Sequence, residues 1–308
     1  MTSRPVSHDD DDVERGLQFD LSTMLARRSV LKLLAGGSVG AALLAACSSD
    51  DAADTTSAAA NAGDATAAGS ATEPAVAATD ATPTDTVAAS TGASATADAT
   101  SCALIPEETP GPFPGDGSNG PDVLAEPGVV RRDIRSSVGS ATGTAEGVEV
   151  TVTFTILDTA NGCAPLTGAA MYMWHCDREG RYSMYSDGVT GENYLRGVQA
   201  ADAYGQLTFT TVFPGCYDGR WPHIHFEIYA SVEEAVGAGS RLMTSQLAFD
   251  RSICEAVYAT NGYESSVSNL SRLSIETDNI FADGVDQQLA TVAGTVGGGL
   301  TATLTITV

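Results

Sequence analysis

VEVTVTFTI at 148–156 sets Val148, Val150, Val152, Phe154 and Ile156 against Glu149, Thr151, Thr153 and Thr155. Successive side chains of a strand point to opposite faces, so this period of two predicts a strand with one face buried. Runs at 170–176, 206–213, 223–230, 242–249 and 300–308 also suit strands, the last placing Leu300, Leu304 and Ile306 among threonines. Gly, Pro, Asn and Asp separate these runs, and only 252–260 has a clear helical pattern. With no regular alternation of strand and helix, residues 101–308 are expected to form an all-β, two-sheet sandwich with irregular loops and one short helix. The proline-rich segment 106–121 is expected to wrap over the surface or over a site mouth as irregular chain.

Upstream of this domain the composition changes. Arg27 and Arg28, followed by Ser29, Val30, Leu31 and Lys32, form a twin-arginine export signature. The Ala/Gly-rich apolar stretch 33–46 then closes on Leu44, Ala45, Ala46 and Cys47. Residues 1–46 therefore resemble a lipoprotein-type signal, with Cys47 as the acylated anchor; a transmembrane anchor or a cleaved secretory signal is the plainer reading. Residues 47–100 are mostly Ala, Thr, Ser, Asp and Gly without Lys or Arg, a composition that cannot offset the entropy of ordering and predicts a disordered spacer. The expected location is the outer face of the cytoplasmic membrane, with the membrane touched only through Cys47.

With 39 acidic against 15 basic residues the formal net charge is −24, which argues against nucleic acid and anionic lipid head groups as partners and leaves small molecules. Five cysteines follow Cys47: Cys102, Cys163, Cys176, Cys216 and Cys254. An exported chain can form disulfides, the odd count leaves a thiol over, and Cys102 with Cys163 is the best candidate bridge. No CxxC spacing is present, so no structural zinc cluster is expected.

The chemistry concentrates in GRWPHIHF at 219–226. His223 and His225 share one strand face with Glu227 and Tyr229, whereas Ile224, Phe226 and Ile228 face a core; two imidazoles on one face of a half-buried strand can reach one metal ion. A bare HxH is more often a pair of exposed polar residues. Here, however, the turn Pro214–Arg220 returns Tyr217 towards the pair, and REGRYS at 178–183 offers Tyr182 as a second phenol. Each Tyr taken singly also suits packing at a sheet end. A phenol with a pKa near 10 becomes an anionic ligand only beside a strong Lewis acid, and hard oxygen with imidazole nitrogen suits ferric iron.

PEETPGPF at 106–113, RRDI at 131–134, GAAMYMWHCDREGRYS at 168–183, YLRGVQAADAYGQLTFTTVFPGCY at 194–217 and GRWPHIHF at 219–226 occur in this order. In order and spacing they resemble the intradiol ring-cleavage dioxygenases, the family of catechol 1,2-dioxygenase and protocatechuate 3,4-dioxygenase, over 102–308. The resemblance implies one Fe(III) per domain, held by Tyr182, Tyr217, His223 and His225 with a solvent ligand in the open position. It implies a catechol and O2 as substrates, cleavage between the two hydroxylated carbons, and a muconate-type diacid as product. Tyr217 would be the ligand displaced by the catechol and a proton acceptor. Arg220 would stabilise negative charge on the ring, and Gln246 in TSQLAF would match the family's glutamine across an insertion around 232–240. His175 is expected to stand behind the ligands or to be structural, rather than to be a ligand itself.

Departures from the family pattern are Cys216, where a bulky aromatic is common, and Pro114 in place of an aromatic after GPF. The helical N-terminal extension of the catechol 1,2-dioxygenase branch has no counterpart, so that branch's dimer and lipid tunnel are not carried over, and the chain looks like the exported single-domain branch. Two other classes compete: a non-catalytic, transthyretin-like binding module of the cell envelope, and a metal-dependent hydrolase. The hydrolase lacks the expected carboxylate ligand and general base.

Overall fold

The computed structural model describes residues 102–308; the expected leader 1–46, Cys47 and the spacer to residue 100 lie outside the described residues. Nine strands run in chain order: β1 (Glu149–Asp158), β2 (Ala164–Pro165), β3 (Ala170–Trp174), β4 (Arg196–Ala200), β5 (Gln206–Val212), β6 (His223–Tyr229), β7 (Arg241–Ala248), β8 (Thr291–Thr295) and β9 (Gly299–Thr307). One sheet has the order β2-β1-β9-β8, with β5 also paired to β1, and the other the order β4-β3-β6-β7. All pairs are antiparallel except β1 with β9, which run parallel from Val150↔Leu300 to Leu157↔Thr307.

The alternation in β1 does what its period demands. Val150, Val152, Phe154 and Ile156 are fully buried and share one core with Leu207 and Phe209 of β5, Met171 and Met173 of β3, and Ile224, Phe226 and Ile228 of β6. The Phe154 and Phe226 rings meet between the two sheets with centroids 5.5 Å apart. Each such side chain contributes about 1.5–3 kcal/mol through burial, so this layer is the main term holding sheet to sheet.

The structure corrects three expectations. The pattern at 223–229 predicts a half-buried strand, yet all seven residues of β6 are buried, because the chain before β1 and the loop after β3 cover the histidine face. Among the described residues three α-helices form instead of one: α1 (Val232–Val236), α2 (Arg251–Tyr258) and α3 (Glu264–Leu270). In α3, ESSVSNL has little apolar periodicity, and Ser266 and Leu270 are its buried residues. Strands β2, β4 and β8 are additional as well. In β4 the alternation is broken by Gly197, where a Cβ would lie 2.5 Å from Ile134 Cγ2, so close packing dictates the residue that hides the strand.

Cys102 and Cys163 are bonded, and Cys176, Cys216 and Cys254 are free and buried.

Candidate metal centre

The register of the β4-β3-β6-β7 sheet places His225 opposite Gln246 on β7 and opposite Trp174 on β3. The Trp174 indole stacks on the His225 ring, with centroids 5.0 Å apart and planes 3° from parallel, and so fixes that imidazole. Tyr182 comes from the loop after β3. Buried Asp177 closes that loop by accepting from the backbone N–H of Glu179 and Arg181, the Arg181 guanidinium and the Tyr194 hydroxyl. Tyr217 comes from the turn between β5 and β6.

These four side chains converge. His223 Nε2 lies 3.1 Å from His225 Nε2, 3.3 Å from the Tyr217 hydroxyl and 3.4 Å from the Tyr182 hydroxyl. His223 Nδ1 stands 2.5 Å from the Trp221 carbonyl, which can only accept, so Nδ1 carries the ring hydrogen and Nε2 presents its lone pair to the other three groups. Burial, reinforced by the Arg220 cation, pushes His223 down to about 3. Burial and the neighbouring His223 likewise hold His225 well below the usual range, so both imidazoles are neutral near pH 7. Burial, with the Tyr217 phenol beside it, pushes Tyr182 well above 10.

Two neutral imidazole nitrogens and two phenolic oxygens around one point suit a hard, highly charged cation, whose field would drive off the phenol protons. The residues therefore fit ferric iron. Among the described residues no group of three or more His, Cys, Asp or Glu forms a rival metal cluster.

Arg220 is not a surface ion-pair partner: it is 3% exposed, and its Nη2 donates to Gln246 Oε1 at 2.7 Å. Gln246 in turn donates from Nε2 to the Thr109 carbonyl at 3.0 Å. The sequence reading missed Asp278, which is fully buried and accepts from Arg220 Nε at 3.1 Å and from the Trp221 backbone N–H at 2.7 Å. Burial alone would raise its carboxyl, but the Arg220 cation and backbone N–H groups outweigh that and hold it below the usual range.

The proline-rich chain lies over the centre, as expected. A Cβ on Gly111 would stand 3.2 Å from His225 Cε1, and the Phe113 ring lies 5.1 Å from that of Tyr182. Pro114 gives its carbonyl to the Tyr172 hydroxyl and to Arg196 Nη1. His175 stays out of the centre, satisfied by the Cys176 carbonyl and the Thr211 hydroxyl, each at 2.7 Å. Cys216 faces the core, not the site, and its backbone N–H donates to Ser266 Oγ of α3 at 2.9 Å.

Residues 120–260 match the family described as Dioxygenase. Among solved structures, the chain is similar to an intradiol ring-cleavage dioxygenase from Tetranychus urticae, with 27% identity over 58% of this chain and 86% of that one and a TM-score of 0.49. The dioxygenase domain of a dioxygenase carbohydrate-binding protein fusion from the cellulolytic bacterium Streptomyces sp. SirexAA-E is similar at 25% identity, over 67% of this chain and 98% of that one, with a TM-score of 0.42. Catechol 1,2-dioxygenase from Pseudomonas arvilla C-1 is similar at 19% identity, over 61% and 59%, with a TM-score of 0.39. No curated protein matches the sequence.

Proposed function

We propose, from the match of residues 120–260 to the dioxygenase family, that the chain is an Fe(III)-dependent intradiol enzyme. It cleaves a catechol between the two hydroxylated carbons with O2 and gives a muconate-type diacid. It does so outside the cytoplasmic membrane, tethered through Cys47. The observation that carries the reading is the meeting of two phenols with two buried, neutral imidazoles at one point under the chain 106–121.

Held by Tyr182, Tyr217, His223 and His225, ferric iron would supply the Lewis acidity that favours a catechol dianion and the electronic coupling that lets its ring react with O2. The surrounding residues divide the remaining work. Tyr182 is buried and packed against Phe113, which suits a ligand that stays in place. Tyr217 is part-exposed and sits on a turn, which suits a phenolate that leaves its position and takes a catechol proton at its oxygen. Arg220 brings a fixed cation beside the centre, where negative charge on the substrate is stabilised without reorganisation. Gln246 holds the end of that guanidinium. Trp174 and the chain at Gly111 keep water away from His225.

The test is the visible spectrum of the purified, iron-loaded protein, before and after catechol is added without oxygen, followed by product analysis once oxygen is admitted. A tyrosinate-to-iron band that shifts with catechol, and then muconate, supports the reading. A colourless protein in the presence of iron would remove it and promote the binding module, which saturable binding without turnover would identify. Separating membranes from soluble material for the full chain and for Cys47→Ala tests the tether.

A further inference from the structure

Asp278 lies beyond the matched residues 120–260, in a segment without a recognisable motif, yet its two oxygens have different partners. Oδ1 accepts from the backbone N–H of Ile280 at 2.9 Å and of Phe281 at 3.2 Å, which shapes its own turn. Oδ2 accepts from Arg220 Nε at 3.1 Å and from the Trp221 backbone N–H at 2.7 Å. The Trp221 carbonyl, one peptide on, holds His223 Nδ1. One oxygen thus serves the local turn, and the other reaches 57 and 58 residues back to the strand entry that carries both the cation and a metal-binding imidazole.

We propose that Asp278 is the positioning residue for Arg220 in the reaction assigned above, on which this inference rests. Its carboxylate fixes the Nε edge of the guanidinium while Gln246 fixes Nη2, so the cation is held from two sides with its side chain 4% exposed. A buried guanidinium without a counter-charge would be costly to retain beside two neutral imidazoles, and Asp278 supplies that counter-charge. The Trp221 N–H bond adds a second effect. It locks the peptide between the cation and His223, so the two move together.

The division of labour between Oδ1 and Oδ2 supplies the experiment. In Asp278→Asn the amide oxygen can keep the Ile280 and Phe281 bonds, while the amide nitrogen faces two donors and the negative charge is gone. Asp278→Glu keeps the charge, and Arg220→Gln removes the cation. Iron-loaded protein is compared for colour, kcat and KM with catechol, and the double variant Asp278→Asn/Arg220→Gln closes the cycle. The expected result is retained iron and colour in Asp278→Asn, kcat lower by roughly ten- to a thousandfold with KM within about threefold, and little further loss in the double variant. Asp278→Glu is expected to recover about tenfold of that kcat. The melting temperatures of the four iron-free proteins should be non-additive in the same sense.

A coloured, active wild type with Asp278→Asn within about twofold of its kcat, or with losses that multiply in the double variant, overturns the inference. If the wild type is colourless and inactive, the dioxygenase reading falls instead. Additive melting temperatures in the iron-free cycle would then reject the Asp278–Arg220 coupling separately.

Discussion

Gly111 is the residue at which the covering chain touches the candidate centre. Its φ is +70°, and a Cβ there would stand 3.2 Å from His225 Cε1 and 3.6 Å from Nε2. The left-handed backbone alone costs a non-glycine residue about 1–2 kcal/mol, and the contact adds pressure on a ring already stacked on Trp174. Gly111→Ala is therefore expected to lower the unfolding free energy by at least that amount and to weaken iron retention. Urea titration and iron analysis check this, and unchanged values would mean that the covering chain yields freely. At Tyr182 the opposite separation is expected. Tyr182→Phe keeps the ring that packs on Phe113 and removes only the oxygen, so the fold persists while the tyrosinate-to-iron band fades; unchanged colour would reject Tyr182 as a ligand. The four candidate ligands were legible because HxH on a strand and a tyrosine in a tight turn are local patterns, which the resemblance then joined. Asp278 was not legible, since its partner Arg220 is 58 residues away and nothing local marks it.

Arg196 shows how whole elements are tied around the centre. It is fully buried at the start of β4 and donates to the Pro114 carbonyl, the Tyr172 hydroxyl of β3, and the side chain and carbonyl of Ser183, next to Tyr182. One guanidinium thus joins two strands, the covering chain and the Tyr182 loop through neutral oxygens. Arg196→Met takes a donor from each of those buried oxygens and leaves the Ser183 carbonyl without its Arg196 bond, at about 1–3 kcal/mol, while Pro114 keeps its Tyr172 bond and the chain at 110–121 is held less firmly. Brief digestion with a protease of broad specificity should then cut within 110–121 before the sheets; a wild-type cleavage pattern would show that the chain is held by other contacts. The strands that alternate cleanly, β1 and β9 above all, could be read from sequence because one face of each packs on the core. The face of β6 that bears His223 and His225 could be read as polar but not as buried, since its cover comes from distant segments. Strand β4 and helix α3 escaped for a related reason: packing against Ile134 demands Gly197, and α3 turns a serine, Ser266, inward to bind the Cys216 N–H.

Over the described chain as a whole, one covalent tie and one electrostatic cost set stability. The Cys102–Cys163 bridge spans 61 residues, and closing a loop of that size removes chain entropy from the unfolded state worth about 4 kcal/mol, which a thiol reductant should abolish in urea titrations near pH 7. Acid acts through the buried histidines. In the iron-free protein, burial pushes His175 down to about 4 and His223 to about 3, and holds His225 well below its usual range. Unfolded imidazoles titrate near 6.5, so above that pH neither state binds these protons and stability is insensitive to them. As pH falls below about 6.5 the unfolded chain takes up protons that the folded chain refuses, and unfolding free energy declines with a slope of up to about three protons. His175 alone accounts for a loss on the order of 3 kcal/mol by about pH 4. The Asp278 carboxyl, held below its usual range, loses its contribution only at more acid pH and does not mask this window. Urea titrations of iron-free protein at about pH 7, 6 and 5 should therefore show a progressive fall, accompanied by measurable proton uptake on unfolding. Stability that stays flat across that range would mean that these rings are protonated, or reached by water, in the folded state, and would remove the neutral-imidazole basis of the metal centre.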